Sequence, residues 1–330
     1  MPDPRPPQAG NPSSLSGGRG RHADPAFRWL ATLGGASVLA LRAWMILSTT
    51  IDAWPVLRKE GLGFLFGNDW QPGSSRTEIT GTYQARDFLW GTFYTSVIAL
   101  VLAVPLAVGI ALYLSELAPP RLKGFLTNLV DLLAGIPSIV YGLWGVIFLL
   151  PVLRPVMYFI AETLGRVLPS VFGGPVMVRN FWLAGVVLGI MILPIISAVS
   201  REVIASVPVD ERHAAYGLGA TRWEVIRHIV LPRARPGIIG ATMLGLGRAL
   251  GETIAVMLLI GGTANLDARL FGPGQTIAGQ IASQFRESSP EAISGLVALG
   301  VALFGLTILV NVGARVVVAR TGRIAGDSAL

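Results

Sequence analysis

Residues 89–115 are LWGTFYTSVIALVLAVPLAVGIALYLS, a run of 27 amino acids without a single Asp, Glu, Lys or Arg. At 1.5 Å of rise per residue, a helix needs roughly 20 apolar residues to cross about 30 Å of hydrocarbon. This run is long enough to do so, and comparable apolar runs recur along the chain. The sequence therefore predicts an integral membrane protein.

The composition agrees with that prediction, because 52% of the 330 residues are hydrophobic and only 14% are charged. Soluble domains carry about 25% charged residues. The chain contains no cysteine, which excludes disulfides, thiolate metal ligands and cysteine nucleophiles. Its three histidines are scattered through polar segments, so we predict neither a metal site nor a bound cofactor.

Six segments have the length and hydrophobicity of membrane spans, which predicts an all-α, polytopic fold of about six transmembrane helices. They lie near residues 27–50, 89–115, 126–150, 181–204, 237–262 and 292–316. Residues 1–26, rich in Pro, Gly and Ser, are expected to form a disordered tail. The helical domain is expected to cover residues 27–320, and residues 321–330 to form a short C-terminal tail.

The basic residues indicate how the helices are oriented. Fifteen of the 26 Lys and Arg residues fall in the two termini, in the loop after residue 115 and in the loop at 205–236, when Arg28, Arg201 and Arg315 at the span borders are counted with them. Because short basic loops remain in the cytoplasm, both termini are predicted to be cytoplasmic. Membrane topology then accounts for the net charge of +7, and we predict no nucleic-acid partner.

The loops on the opposite side, near residues 51–88, 151–180 and 263–291, are long for simple connections. Each carries turn residues and isolated aromatic side chains. We do not expect any of them to form a hydrophobic core of its own.

The loop at 205–236 includes VPVDERHAAYGLGATRWEVIRHIVLPRARPG (207–237). Its middle predicts two short helices separated by Gly219, the second one closed by Pro232 and Pro236. One face of the second helix is apolar and consists of Trp223, Ile226 and Val230. Such a helix can pack on the bundle and still offer a surface to a partner, or it can be an ordinary amphipathic helix at the membrane interface.

The spacing in this loop resembles the signature of binding-protein-dependent ABC importer permeases, which is EAA, three residues, Gly, nine residues and Ile-x-Leu-Pro. The matching residues are Ala214, Ala215, Gly219, Ile229, Leu231 and Pro232. His213 occupies the Glu position of the signature, and the nearest acidic residue is Glu211. The resemblance implies that these eight residues couple the membrane domain to a separate ATP-binding subunit, which receives a helix of this loop in a cleft.

Two charged residues, Arg248 and Glu252, lie near the middle of the fifth predicted span, GIIGATMLGLGRALGETIAVMLLIGG (237–262). Four residues apart on one helix, they are expected to project from the same face. A charge at the bilayer centre costs about 2.5–3.5 kcal/mol, so both should face the bundle interior, a partner helix or an aqueous pathway. Two hypotheses remain: a structural ion bridge, or an arginine whose planar donors bind a tetrahedral oxyanion.

Four further segments resemble PstC-type permeases of phosphate-specific (Pst) ABC transporters, which have the MetI-like fold. They are FLFGNDWQP (64–72), AGIPSIVYGLWG (134–145), MILPIISAVSREVI (191–204) and GLGRALGETIAV (245–256). The resemblance implies a permease subunit of an ATP-driven importer that moves inorganic phosphate across the bacterial inner membrane, with Arg248 and Glu252 in the substrate pathway. It also implies a PstA-like second permease, two PstB-like ATP-binding subunits and a PstS-like phosphate-binding protein.

Three alternatives remain open. A permease of the same fold could carry sulfate or molybdate. An ion-gradient-driven transporter working alone is disfavoured, because the sequence shows neither internal repeats nor paired broken helices. A membrane anchor or signalling subunit would leave Arg248 and Glu252 unexplained. The chain contains no GxxxxGK[ST] motif, so we predict that it is not an enzyme and that separate subunits hydrolyse ATP.

Overall fold

A computed structural model of the chain describes residues 23–73, 75, 78–263 and 269–327. The regular secondary structure of these residues is helical, apart from one short antiparallel sheet. The helices are α1 (Ala23–Glu60), α2 (Gly63–Phe66), α3 (Arg86–Leu112), α4 (Pro120–Ala134), α5 (Ser138–Trp144), α6 (Leu150–Leu164), α7 (Pro169–Phe172), α8 (Phe181–Ala205), α9 (Val209–Gly217), α10 (Arg222–Val225), α11 (Leu231–Leu250), α12 (Ile254–Ile260), α13 (Ile277–Gln284) and α14 (Pro290–Asp327). The strands are β1 (Trp70–Gln71) and β2 (Thr82–Tyr83). The all-α prediction is confirmed.

The two predicted tails are described only in part. Residues 1–22 of the N-terminal tail lie outside the described residues, and α1 begins at Ala23. At the other end, α14 continues past residue 320, where the helical domain was expected to stop, as far as Asp327.

Five helical segments are long and apolar enough to cross a membrane, and a sixth span is bent. The straight segments are Phe27–Glu60, Arg86–Leu117, Ser138–Leu164, Phe181–Ala205 and Pro290–Val316. The bent one combines Arg222–Leu250 with Ile254–Ile260, at an angle of 66°. The prediction of about six spans is confirmed.

The predicted position of the third span, 126–150, is wrong. The chain breaks at Gly135–Pro137, and the spanning helix runs from Ser138 to Leu164, through a π turn at Gly145–Leu149. Pro137 lacks the N–H that a continuous helix would need, and it disfavours the helical conformation of the residue before it. Helix α4 is therefore a separate helix, and none of its residues is buried.

The chain divides into two compact units at residues 51 and 52. In the first unit, the described residues form the part of α1 that ends at Ile51, and every side chain from Phe27 to Leu47 is exposed. The second unit, from Asp52 onward, contains the other spans and all three hydrophobic cores described below.

Helix α8 lies at the centre of the main core and packs against α3 and α11. Glycines make these approaches close. A Cβ at Gly189 would lie 3.1 Å from the carbonyl oxygen of Ala99 on α3, and one at Gly245 of α11 would lie 2.6 Å from Ile196 on α8. Within a lipid bilayer the hydrophobic effect does not drive helices together, and small residues at helix crossings allow the close van der Waals contact that does.

A second core lies where α3 begins, in the region expected to lack one. Strands β1 and β2 form a hairpin in which Trp70 pairs with Tyr83. The Trp70 ring stands edge-on to the rings of Tyr83 and Phe88, at centroid distances of 5.3 and 5.2 Å. Phe64, Tyr83 and Phe88 are almost completely buried there. The expectation that loop 51–88 has no core is wrong, because its aromatics converge on the start of α3.

Glu291, in the first turn of α14, anchors this hairpin. Its carboxylate, only 4% exposed, accepts hydrogen bonds from the backbone N–H groups of Ser75 (3.1 Å), Thr80 (2.7 Å) and Gly81 (2.6 Å). The Thr80 hydroxyl donates a fourth, at 3.0 Å. Burial raises the pKa of Tyr83 to about 12, so its phenol stays protonated as a further donor to Glu291. A buried charge held by this many donors fixes the hairpin to α14.

Candidate functional site

Loop 205–236 begins with α9 and turns at Gly219, whose φ of +86° is unfavourable for residues with a side chain. Thr221 then starts the next helix through a reciprocal capping box with Glu224. A Cβ at Gly219 would meet no atom within 4 Å, so only the backbone conformation requires glycine there. The predicted separation of two helices at Gly219 is therefore confirmed.

The predicted end of the second helix is wrong. Helix α10 continues through a π turn (Ile226–Val230) into α11, passes Pro232 and Pro236, and ends only at Leu250. The π turn bonds Leu231 N–H to the Ile226 carbonyl, which widens the helix just before Pro232 and leaves room for its ring. Loop 205–236 and the fifth span thus share one helix, Arg222–Leu250.

The residues predicted to couple to an ATPase lie together in this loop, with mixed exposure. His213, Ala214, Gly219 and Pro232 are exposed, and Glu211, Ala215, Ile229 and Leu231 are partly buried. The structure buries only part of the predicted apolar face. Ile226 and Val230 are buried, Val230 in a core with the ends of α3 and α8, whereas Trp223 is 63% exposed.

Leu218, which the sequence argument did not single out, is 91% exposed beside Gly219. We call two residues the exposed apolar pair: Leu218, directly after α9, and Trp223, in the first turn of α10.

Two ion pairs attach α9 to the helices beneath it. Arg233 of α11 donates two hydrogen bonds to the Glu211 carboxylate, at 3.1 and 2.7 Å. Arg212 lies 3.0 Å from Glu116, in the π turn after α3, and donates to the carbonyl oxygen of Ile204 at 2.7 Å. Glu211 therefore has a structural partner within this chain, which the sequence did not predict.

The predicted arrangement of Arg248 and Glu252 on one helical face is wrong. Helix α11 ends at Leu250, and α12 begins at Ile254, bent by 66°. Arg248 lies in the last turn of α11 and is exposed, while Glu252 lies in the break and is partly buried. No ion pair within 4.0 Å joins these two described side chains. The Glu252 carboxylate instead accepts a hydrogen bond from Ala255 N–H at 3.4 Å.

Helix α5 supports this break from one side. A Cβ at Gly142 would come within 3.0 Å of Ala255 Cα and 2.9 Å of Leu258, so glycine is needed for this close contact with α12. The neighbouring Tyr141 is buried, donates a hydrogen bond to the Leu133 carbonyl at 2.8 Å and lies within electrostatic reach of Arg248. The close contact between α5 and α12 thus places the break beside Tyr141 and Arg248.

Arg248 belongs to an exposed stripe along α11. The residues of this stripe follow one another mostly at intervals of three or four, as expected for one face of a helix. They are Pro236, Gly240, Leu244, Gly247, Arg248 and Gly251. Its side chains are small apart from Leu244 and Arg248. The single chain therefore presents a narrow, largely smooth surface that leads along the helix to one guanidinium group.

The comparisons with known proteins identify the family. Residues 103–323 match the model of the binding-protein-dependent transport system inner membrane component family. The chain belongs to this family. It is 39% identical, over 96% of its length and 97% of the relative's, to the phosphate transport system permease protein PstC of Xylella fastidiosa. It is 37% identical, over 91% of its length and 94% of the relative's, to PstC of Haemophilus influenzae.

Solved structures show that the binding-protein-dependent permease fold is shared despite low sequence identity. A bacterial ABC transporter involved in import of the acidic polysaccharide alginate matches with a TM-score of 0.55 and 17% identity, over 90% of this chain and 98% of that chain. An inward-facing MetNI methionine ABC transporter matches with a TM-score of 0.50 and 17% identity, over 71% and 93%. The predicted MetI-like fold is confirmed.

Proposed function

We propose that this chain is the membrane-spanning permease subunit of an ATP-driven importer that carries inorganic phosphate into the cell. Its full-length relatives are phosphate transport system permeases at 37–39% identity. The observation that carries the proposal is the exposed Arg248, at the break between α11 and α12. A guanidinium group that is open to the pathway through the membrane would bind a phosphate anion there.

The structural-bridge hypothesis for Arg248 is weakened by the same geometry. Arg248 has no ion pair with Glu252, and its side chain is directed away from the packed core of this chain. An unpaired charge at this depth is costly unless water, a partner subunit or an anion surrounds it. The guanidinium group keeps its charge and offers several donors to phosphate oxygens. Glu252, four residues away, would limit how tightly the anion is held.

Loop 205–236, which we call the docking loop, supplies the proposed link to ATP. The exposed apolar pair, Leu218 and Trp223, would enter a cleft of a PstB-like ATP-binding subunit, two of which serve the pair of permeases. Because Trp223 and Arg248 share the helix Arg222–Leu250, a push at the loop would be transmitted along about 38 Å of helix to the break.

The remaining subunits and the orientation follow from the proposal. A PstA-like permease would cover the exposed stripe of α11 and close the pathway, and a PstS-like protein would deliver phosphate on the side of the β1–β2 hairpin. Loop 205–236 and both termini would lie in the cytoplasm, with the spans in the inner membrane, as the distribution of basic residues indicates.

Uptake by the reconstituted complex tests this function. Proteoliposomes that contain the permease pair and the ATP-binding subunits, supplied with binding protein, are expected to take up labelled phosphate only with ATP. Excess sulfate or molybdate should not compete. Competition by either anion would favour a permease for that oxyanion. Uptake driven by an ion gradient without ATP would favour the gradient-driven transporter. The sequence disfavoured that transporter partly because no broken helix was predicted, and the bend between α11 and α12 removes that part of the objection.

A further inference from the structure

A cavity of about 440 Å³ lies between α11 and α14, away from the break at Arg248. Its α14 wall is made by Asn311, Ala314 and Arg315, and its α11 wall by four residues between Pro236 and Met243. Asn311 and Arg315 are four residues apart on one helix, so both side chains lie on the same face. The cavity therefore combines a guanidinium group and a carboxamide with walls made mostly of apolar or small residues.

The chemistry of the cavity suits an oxyanion. Asn311 and Arg315 are both exposed, and neither has a hydrogen bond or ion pair with any other described residue. No Asp or Glu lines the cavity. Arginine and an amide N–H₂ group are donors for phosphate oxygens, and a concave wall that excludes part of the water strengthens such contacts.

The position of the cavity relates it to the exposed stripe of α11. Gly240 belongs both to the cavity wall and to that stripe. It precedes Arg248 by eight residues, which is about 12 Å along a helix. The cavity lies towards the end of α11 that leads into the docking loop, and hence between Arg248 and the proposed cytoplasmic side.

We propose that Asn311 and Arg315 form a second phosphate-binding site on this chain. The phosphate group comes either from free phosphate that has passed Arg248 or from the headgroup of an anionic lipid. The first source rests on the proposed function, and the second does not. An arginine that served only to orient α14 in the membrane would need neither the cavity nor the carboxamide beside it.

Thiol labelling tests the site without relying on transport. The chain has no cysteine, and a Cβ at Gly240 would meet no atom within 4 Å, so Gly240→Cys places a single reporter thiol in the cavity. The variant is labelled, within the assembled complex, by a sulfonate and by a trimethylammonium methanethiosulfonate of similar size. Arg315→Gln in this background is expected to lower the ratio of sulfonate to trimethylammonium labelling rates by about three- to tenfold.

Arg121→Gln is the matched control, because Arg121 at the start of α4 is also exposed, without a partner among the described residues, and lines none of this cavity. It should leave the ratio unchanged. An equal change in both variants, or a Gly240→Cys thiol that neither reagent labels, would overturn the proposal, since the cavity would then lack a local positive charge or would be closed.

Lipid composition separates the two sources of phosphate. In phosphatidylcholine vesicles, inorganic phosphate is expected to slow sulfonate labelling, and Arg315→Gln to abolish that protection, if the site binds free phosphate. In phosphate-free vesicles that contain phosphatidylglycerol, Arg315-dependent protection would identify a lipid headgroup. Absence of protection in both vesicles overturns the site. Protection without any ATP-dependent phosphate uptake by the wild type would overturn the proposed function alone.

Discussion

The β1–β2 hairpin and the docking loop lie at opposite ends of α3, and they treat their large apolar side chains in opposite ways. The hairpin buries Tyr83 in a core with Phe64 of α2 and Phe88 of α3, and Glu291 fixes it to α14. The loop buries Val225 and Val230 but leaves Leu218 and Trp223 in the open. Both regions have a core, but the most exposed apolar side chains near the first, Leu62 and Phe66, lie before the hairpin, whereas Leu218 and Trp223 lie within the loop itself.

This difference predicts that changes in the hairpin affect the stability of the fold, whereas changes in the docking loop affect binding of a partner subunit. The hairpin satisfies its polar groups within the chain, so changes there should affect folding first. The loop is held by Glu211–Arg233 and Arg212–Glu116, and its exposed apolar pair contributes little to the fold. Changes to that pair should affect assembly first.

The largest effect is expected at Glu291. Glu291→Gln places an amide N–H₂ among backbone donors and should destabilise the complex by about 3 kcal/mol, because buried donors lose a charged acceptor. Thermal unfolding of the detergent-solubilised complex measures this effect. Glu78→Gln is the control, since Glu78 is an exposed carboxylate in the same hairpin. If both variants unfold like the wild type, the hairpin is not anchored by Glu291.

A smaller effect, and one on assembly, is expected at Trp223. Trp223→Ala should weaken binding of the ATP-binding subunit by about 2 kcal/mol, roughly 30-fold in Kd, as truncation of an interfacial tryptophan does. Thermal stability of the permease itself should change by less than about 0.5 kcal/mol. Trp54, similarly exposed on α1, supplies the control variant Trp54→Ala. Unchanged affinity for the ATP-binding subunit in Trp223→Ala would remove this residue from the docking surface.

The smallest of the three effects is expected at Gly219. Gly219→Val forces a branched residue into a positive φ and should cost about 1–2 kcal/mol, which the loop can relieve by changing its turn. We expect ATP hydrolysis to continue while phosphate uptake falls. Gly217→Val is the control, because a Cβ there also meets open space, at a residue without positive φ. Normal coupling in Gly219→Val would show that the turn is not needed.

The sequence predicts the parts of the fold that depend on composition and fixed spacing. Apolar runs placed most of the spans, and the Ala-Ala, Gly and Leu-Pro frame located the docking loop. Hydropathy failed at Gly135–Pro137, since an apolar average does not register a break in the backbone. The bend after Leu250 also escaped prediction, because it depends on the packing of α12 against Gly142 of α5, more than 100 residues earlier.

The sequence singled out the residues of the candidate site but did not predict their arrangement. Arg248 and Glu252 stand out because charges are rare in a span, but their separation by a break follows from tertiary structure. The exposure of single side chains could not be predicted either. Helical periodicity placed Trp223 on one face with Ile226 and Val230, whereas the structure buries only Ile226 and Val230. Exposed apolar residues cannot be told from core residues in a sequence by their chemistry alone.

The central claim is that phosphate passes Arg248 during ATP-driven import. The most direct test compares initial rates of ATP-dependent phosphate uptake by wild type, Arg248→Ala and Arg248→Lys in complexes shown to assemble equally. Loss of a charged donor to the anion predicts a reduction of about 10- to 100-fold for Arg248→Ala, with partial recovery in Arg248→Lys. Uptake at the wild-type rate in assembled Arg248→Ala would contradict the account.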